Sequence, residues 1–266
     1  MKMRILTLSD ERCKPFWKNL YSAGSPALIS DYDGTLAPFR TERTKAVPYR
    51  GVPELIDRIL TKTAIRFVVV SGRPALEVGR LLGTRNSPEI WGAHGWERML
   101  PDGTFRQWPV SKKALSGLSK ARQAVEANSL QQHCEIKTGA LALHWRGVSQ
   151  ERREKINNLI DLELRPIATR YNLTLRPFDG GIELLAGGRN KGDAINKIIG
   201  GGSADIYPIY LGDDLTDEDA FEAVARAGGQ GILVSKKHNS SKAHFQLIPP
   251  DGVIDFFRFC LTMKEG

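Results

Sequence analysis

Four short clusters in this chain hold residue types that bind or transfer charged groups: Asp31-Tyr32-Asp33-Gly34-Thr35, Ser71-Gly72-Arg73, Lys191-Gly192 and Gly212-Asp213-Asp214-Leu215-Thr216-Asp217. Side chains two residues apart on extended backbone project to one side, so Asp31 and Asp33 are expected together. Like charges repel, and Asp213 and Asp214 add to the repulsion; such an arrangement is tolerable mainly where a hard cation sits among the oxygens. Magnesium suits it, because that ion takes one or two carboxylates and completes its shell with water and phosphate oxygens. Three of the clusters also have a plain structural explanation. Asp31 to Gly34 fits a solvated turn, Ser71 fits a helix N-cap ahead of Pro74, and Asp217, Glu218 and Asp219 fit the first turn of a helix whose dipole favours acids. What sets the clusters apart from ordinary turns is a shared position, after a strand or at the start of a helix.

The elements that must hold them follow from the apolar pattern. Runs at 27–30, 65–70, 89–92, 206–211 and 231–235 read as strands. Between and after them lie helical stripes: Leu55, Ile56, Ile59 and Leu60; Ala194, Ile195, Ile198 and Ile199; Ala220, Phe221, Val224 and Ala225. The alternation predicts an α/β fold with a doubly wound, mostly parallel sheet, in which ligands bind beyond the carboxyl ends of the strands. Residues 103–185 follow another pattern. A helix carrying Leu115, Leu118, Ala121 and Val125 precedes strands at 134–137 and 141–145 around a Thr138-Gly139 turn. A second helix, with Ile156, Leu159, Ile160 and Leu164, precedes strands at 173–176 and 182–185 around Asp179-Gly180-Gly181. Hairpins with helices on one side describe an inserted, open-faced α+β cap. The expected division is a core of 1–102 and 186–266 and a cap of 103–185, hinged to close over the strand ends.

A chain of 266 residues, 41% apolar and 26% charged, is long enough for both lobes and far from disordered or fibrous composition. No run reaches the roughly 18 apolar residues of a membrane span, and residues 1–10 offer only Ile5 and Leu6 as an apolar patch, so a cytoplasmic protein without membrane contact is expected. Cys13, Cys134 and Cys260 are odd in number and scattered, which reads as free thiols and not as a disulfide framework or zinc site. The net charge of +8 is spread through short groups such as Arg152, Arg153 and Lys155, or Lys236 and Lys237. No basic tract with interleaved aromatics argues for nucleic acid; a mildly positive surface suits a small anionic substrate instead.

The order of the four clusters resembles the four motifs of the haloacid-dehalogenase-like (HAD) phosphotransferases, and the insert is similar to the α/β cap of that superfamily's sugar-phosphatase branch. Further segments resemble trehalose-6-phosphate phosphatases: Gly92-Ala93-His94-Gly95-Trp96-Glu97, the stretch from Glu135-Ile136-Lys137 to His144-Trp145-Arg146, Glu183 ahead of Lys191-Gly192, and the run from Leu211 to Phe221. The resemblance extends from Leu28 to the C-terminal helix. It implies a HAD-like Rossmannoid core and magnesium-dependent hydrolysis of a sugar phosphate, foremost trehalose 6-phosphate to trehalose and phosphate. It also implies functional coupling to a trehalose-6-phosphate synthase.

The same resemblance implies roles. Asp31 is the nucleophile that forms an aspartyl-phosphate, and Asp33 is the acid and then the base. Magnesium is held by Asp31, the backbone carbonyl of Asp33, and Asp213. Ser71, Gly72, Arg73 and Lys191 bind the phosphoryl group. Asp214 orients Lys191 or a metal-bound water, and Asp217 shares that place or caps its helix. His94, Glu97, Glu135, Lys137, His144, Arg146 and Glu183 contact the sugar; for those of the cap, exposed cross-strand charge pairs are the alternative. One departure stands out. In that family the glutamate matching Glu183 is followed, one residue later, by a basic residue and a proline, whereas this chain has Leu184-Leu185-Ala186. The departure motivates a rival reading, a phosphatase for sucrose-phosphate, a glucosyl- or mannosyl-phosphoglycerate, or a hexose phosphate. A non-catalytic sugar-phosphate sensor is the reading from another class, against which Asp31, Asp33, Lys191 and Asp213 speak.

Overall fold

The computed structural model describes residues 4–6, 10–40, 42–178, 180–201, 206–237 and 240–262. Asp179, expected in a turn, lies outside them. The chain runs through β1 (Arg4–Ile5), α1 (Lys14–Ser22), β2 (Ser25–Ser30), α2 (Val52–Lys62), β3 (Arg66–Val70), α3 (Ala75–Leu82), β4 (Glu89–Gly92), β5 (Glu97–Met99) and β6 (Phe105–Gln107). An insert follows: α4 (Lys112–Ala127), β7 (Cys134–Lys137), β8 (Ala140–His144), α5 (Gln150–Leu159), α6 (Arg165–Tyr171), β9 (Leu173–Phe178) and β10 (Gly181–Ala186). The chain then returns through α7 (Lys191–Gly200), β11 (Ile206–Gly212), α8 (Glu218–Arg226), β12 (Gln230–Val234), β13 (Phe245–Leu247) and α9 (Asp251–Thr262). It divides into two units, Met1–Arg106 with Asn190–Gly266, and Gln107–Arg189.

In the first unit the described strands form a sheet in the order β1-β13-β12-β11-β2-β3-β4-β5-β6. Pairing is parallel from β1 to β4 and turns antiparallel at β4–β5. Strand alternation divides the central residues between two apolar layers. Leu28, Phe67, Val69, Ile209, Leu211, Ile232 and Val234 share one cluster with Phe16 and Leu20 of α1, Ile56 and Ile59 of α2, and Phe256 and Phe257 of α9. The residues between them, Ile29, Val68, Val70, Tyr210 and Leu233, are buried as well. Tyr210 meets Phe221 of α8 edge to face, at 5.5 Å between ring centroids. Both faces are thus covered, which is why the strands read as continuous apolar runs. At about 1.5–3 kcal/mol for each large side chain buried, these layers are the main support of the strand ends where the polar clusters lie.

The second unit is an antiparallel sheet in the order β7-β8-β10-β9, with α4 and α6 packed on each other and on its strands. Leu141, Leu143 and Leu184 are buried. The opposite parity carries Glu135, Lys137, Glu183 and Arg176, with Glu135, Ala142, Glu183 and Arg176 in one cross-strand row. No helix among the described residues is long and apolar enough to cross a membrane.

Candidate active site

Asp31 continues β2 by one residue, its N–H donating to the Leu211 carbonyl of β11 at 2.8 Å. Alternation gives it the parity of Ile29, opposite to that of Leu28 and the α2–α9 cluster. Lys191 meets it there. It is the first residue of α7, fixed by a capping box in which Asp193 N–H donates to Asn190 Oδ1 (2.8 Å) and Asn190 N–H to Asp193 Oδ2 (3.0 Å). Lys191 Nζ lies 3.0 Å from Asp31 Oδ1 and 2.7 Å from Asp217 Oδ1, all three residues being buried.

Asp217 is the hub of the site. Its Oδ1 also accepts from the Tyr210 hydroxyl at 2.5 Å, and its Oδ2 from the N–H groups of Asp213 (3.0 Å) and Asp214 (3.1 Å). The carboxylate can come this close only because position 212 is glycine, whose absent Cβ would stand 2.5 Å from Asp217 Cγ. Asp217 is thus the carboxylate that fixes Lys191. Asp214, expected to orient Lys191 or a metal-bound water, has its side chain on the Leu215 N–H as an N-cap.

The charges here do not balance. Burial pushes the Asp31 carboxyl up to about 7; Lys191 opposes the shift, and Asp217 and Asp33 add to it. Asp213 is pushed well above its ordinary value by burial and then by Asp217 and Asp31. Burial works against the charge of Lys191, but Asp217 and Asp31 prevail and raise its pKa. Carboxylate oxygens of Asp31, Asp213 and Asp217 lie within 4.8 Å of one another, and the buried Oδ1 of Asp213 has no hydrogen-bond partner among the described residues. An orphaned anionic oxygen beside a second carboxylate fits a hard divalent cation. Gly34, at φ +78°, makes room for Asp213, since a Cβ there would be 2.1 Å from its Oδ2.

The Asp33 side chain is turned elsewhere. It is gripped by Arg73, Nε to Oδ2 at 2.6 Å and Nη2 to Oδ1 at 2.8 Å. Arg73, expected on the phosphoryl group, therefore has its guanidinium on a protein carboxylate. Ser71 Oγ accepts from the Arg73 N–H at 3.1 Å. His94 covers this turn: its N–H donates to the Ser71 carbonyl at 3.0 Å, and a Cβ on Gly72 would touch its ring at 2.8 Å. Glu97 is buried and accepts from the Ala75 N–H at 2.8 Å, which caps α3.

Within the cap unit, Lys137 Nζ lies 2.9 Å from Glu183 Oε1 and 3.7 Å from Glu135 Oε2, and His144 Nε2 lies 3.0 Å from Glu135 Oε2. The side chains of Lys137 and Glu183 are 9% and 5% exposed, so that pair is largely withdrawn from solvent, whereas Glu135 and His144, 16% and 36% exposed, carry the network out toward the surface. Arg146 packs against Gly180. Tyr210 and Glu77 were not found by sequence reasoning. Tyr210 looked like any apolar strand residue, and Glu77 lies four residues after Arg73, a helical spacing that could have signalled the pair.

The family model described as trehalose-phosphatase matches residues 29–251. The trehalose-phosphate phosphatase of Mycobacterium leprae is 30% identical over 259 residues, covering 88% of this chain and 57% of that protein. This chain thus spans little more than half the length of that curated relative. Two solved structures from Candida albicans share the fold. The trehalose-6-phosphate phosphatase C-terminal domain has a TM-score of 0.83 at 18% identity, covering 98% of each chain. The trehalose synthase regulatory protein C-terminal domain has a TM-score of 0.71 at 12% identity, covering 97% of this chain and 99% of that one. With the matched segment running from β2 to α9 and enclosing every motif above, the chain belongs to the trehalose-phosphatase family.

Proposed function

We propose that this protein is a magnesium-dependent phosphatase that hydrolyses trehalose 6-phosphate to trehalose and phosphate through an aspartyl-phosphate. The observation that carries the reading is the buried Lys191–Asp31 pair beside Asp213, whose Oδ1 is orphaned, at the carboxyl ends of adjacent parallel strands. Asp31 forms a bond to phosphorus as the phosphorus–sugar oxygen bond breaks, and the sugar oxygen takes a proton from Asp33. Asp33 then takes a proton from the water that attacks phosphorus, which frees Asp31 and inorganic phosphate. Lys191 orients Asp31 and offsets charge on the phosphoryl oxygens, with Ser71 and the Gly72 backbone as further donors. Asp31, Asp213 and the Asp33 carbonyl are the groups to hold magnesium, which when bound supplies positive charge that lets two anions approach. Asp217 and Tyr210 keep Lys191 in place. The cap residues Glu135, Lys137, His144, Arg146 and Glu183, with His94 in the core, are the candidates for sugar hydroxyls.

Two observations favour other readings. Leu185 stands where the resemblance leads one to expect a basic residue, which favours a different sugar, and the fold is shared with a regulatory protein, which favours a sensor. Phosphate release from a panel of phosphorylated mono- and disaccharides, with and without chelator, separates all three. We expect trehalose 6-phosphate to be preferred by more than about tenfold, the activity to vanish with chelator, and Asp31→Asn to be inactive yet folded. Equal rates across the panel would sink the sugar assignment, and ligand binding without any release would favour the sensor.

A further inference from the structure

We infer that Arg73 acts on Asp33 and not on the phosphoryl group: it is the positioning residue that sets the direction of the carboxylate that gives and takes the proton. The inference rests on the phosphatase reading above. The Arg73 side chain is 5% exposed and that of Asp33 26%, so the arginine is the fixed member of the pair. Both contacts of its fork, 2.6 and 2.8 Å, are in the range of charge-assisted hydrogen bonds. The far nitrogen is held as well, Nη1 donating to Glu77 Oε1 at 2.5 Å and to the Arg43 carbonyl at 3.0 Å. The guanidinium lies 5.7 Å from the centroid of the buried Tyr32 ring. A guanidinium has five N–H donors in a rigid fork. With Nε, one hydrogen of Nη2 and both of Nη1 engaged, one hydrogen is left, too few for the two-pronged grip by which arginine holds a phosphoryl group.

Asp33 needs such a holder. It lies past the end of β2, in a turn closed by an isolated bridge to Ala37, where no regular ladder fixes its side chain. Glu77 reaches Arg73 from one helical turn along the chain, so the direction of Asp33 is set by the start of α3.

The consequence is confined to the proton. A sugar oxygen leaves poorly as an alkoxide and needs the proton of Asp33, whereas p-nitrophenolate leaves without one. The kcat/KM of each substrate reports events up to transfer of the phosphoryl group to Asp31. Arg73→Met is therefore expected to lower kcat/KM for trehalose 6-phosphate by about 10²-fold or more, the usual worth of a general acid. For p-nitrophenyl phosphate the loss should stay below about fivefold, and inhibition by inorganic phosphate should change by less than about twofold. Arg73→Lys, which restores one charged donor, should recover part of the sugar-phosphate rate. Glu77→Gln, which loosens the far side of the arginine, should give the same pattern in smaller measure, and decides the matter if Arg73→Met does not fold by circular dichroism. Equal losses on both substrates, or phosphate inhibition weakened by about tenfold, would overturn the inference and put the guanidinium on the phosphoryl group. If the parent protein releases phosphate from neither substrate, the phosphatase reading itself fails, and this inference with it.

Discussion

Asp217 gathers four donors on two oxygens, three of them from the segment 210–214 and the fourth from Lys191. Replacing it by Ala leaves a buried ammonium with one carboxylate and strands the other three donors. We expect Asp217→Ala to cost about 3–5 kcal/mol, the loss seen when one member of a buried ion pair is removed, measured by urea unfolding without magnesium. Tyr210→Phe removes a single hydrogen bond to a charged acceptor and should cost about 1.5–3 kcal/mol in the same assay. Asp31 and Asp213 give a pH dependence whose sign is fixed by their raised pKa values. A carboxyl that binds its proton more tightly folded than unfolded stabilises the fold at low pH, and loses that contribution as pH rises through the folded value, here about 7 for Asp31. The metal-free protein should therefore melt lower at pH 8 than at pH 5.5, and magnesium should raise the melting temperature more at pH 8. At a hundred times its dissociation constant the ion is worth about 2.7 kcal/mol, or about 5–10 °C for a chain of this size. An equal gain at both pH values would count against carboxylates as the ligands.

At the scale of elements, the active end of the core depends on close approach between a strand and the helix that immediately precedes it. Gly92 ends β4 against the start of α3, where a Cβ would stand 2.2 Å from the Ala75 backbone nitrogen. Gly92→Ala should push α3 outward, cost about 1–3 kcal/mol by overpacking, and lower activity by moving Ser71 and Arg73; a variant with unchanged stability and rate would refute this coupling. These elements were legible to very different degrees. The strands bearing Leu28, Phe67–Val70 and Ile209–Leu211 show in the sequence because both their faces are buried, which leaves long apolar runs. β13, three residues long, and β5 and β6 at the antiparallel edge are too short to show a period. The contacts of the site were less legible than its residue list. Asp31, Lys191 and Asp213 do converge, but the hold of Asp217 on Lys191, the capping contact of Asp214 and the turn of Asp33 toward Arg73 depend on side-chain directions past the strand ends, where alternation no longer applies.

The whole molecule carries a net charge of +8 with no concentrated tract. Such a surface should draw in a phosphorylated substrate, so kcat/KM is expected to fall as ionic strength rises while kcat holds, which steady-state kinetics at several salt concentrations would check. The core, by contrast, invests in one place. Ala93 and His94 adopt φ of 47° and 54°, a region that suits glycine, directly before Gly95 at 93°. Left-handed backbone with a Cβ costs roughly 1–2 kcal/mol per residue. At position 93 that cost is offset only by one buried methyl group, worth about 0.8 kcal/mol, so Ala93→Gly should relax the bend and raise the melting temperature slightly with turnover kept, as thermal melts and steady-state rates would check. At position 94 the same exchange would remove the imidazole that roofs Gly72, which makes this corner a place where thermal tolerance and catalytic competence can be tuned apart by changing adjacent letters of the chain.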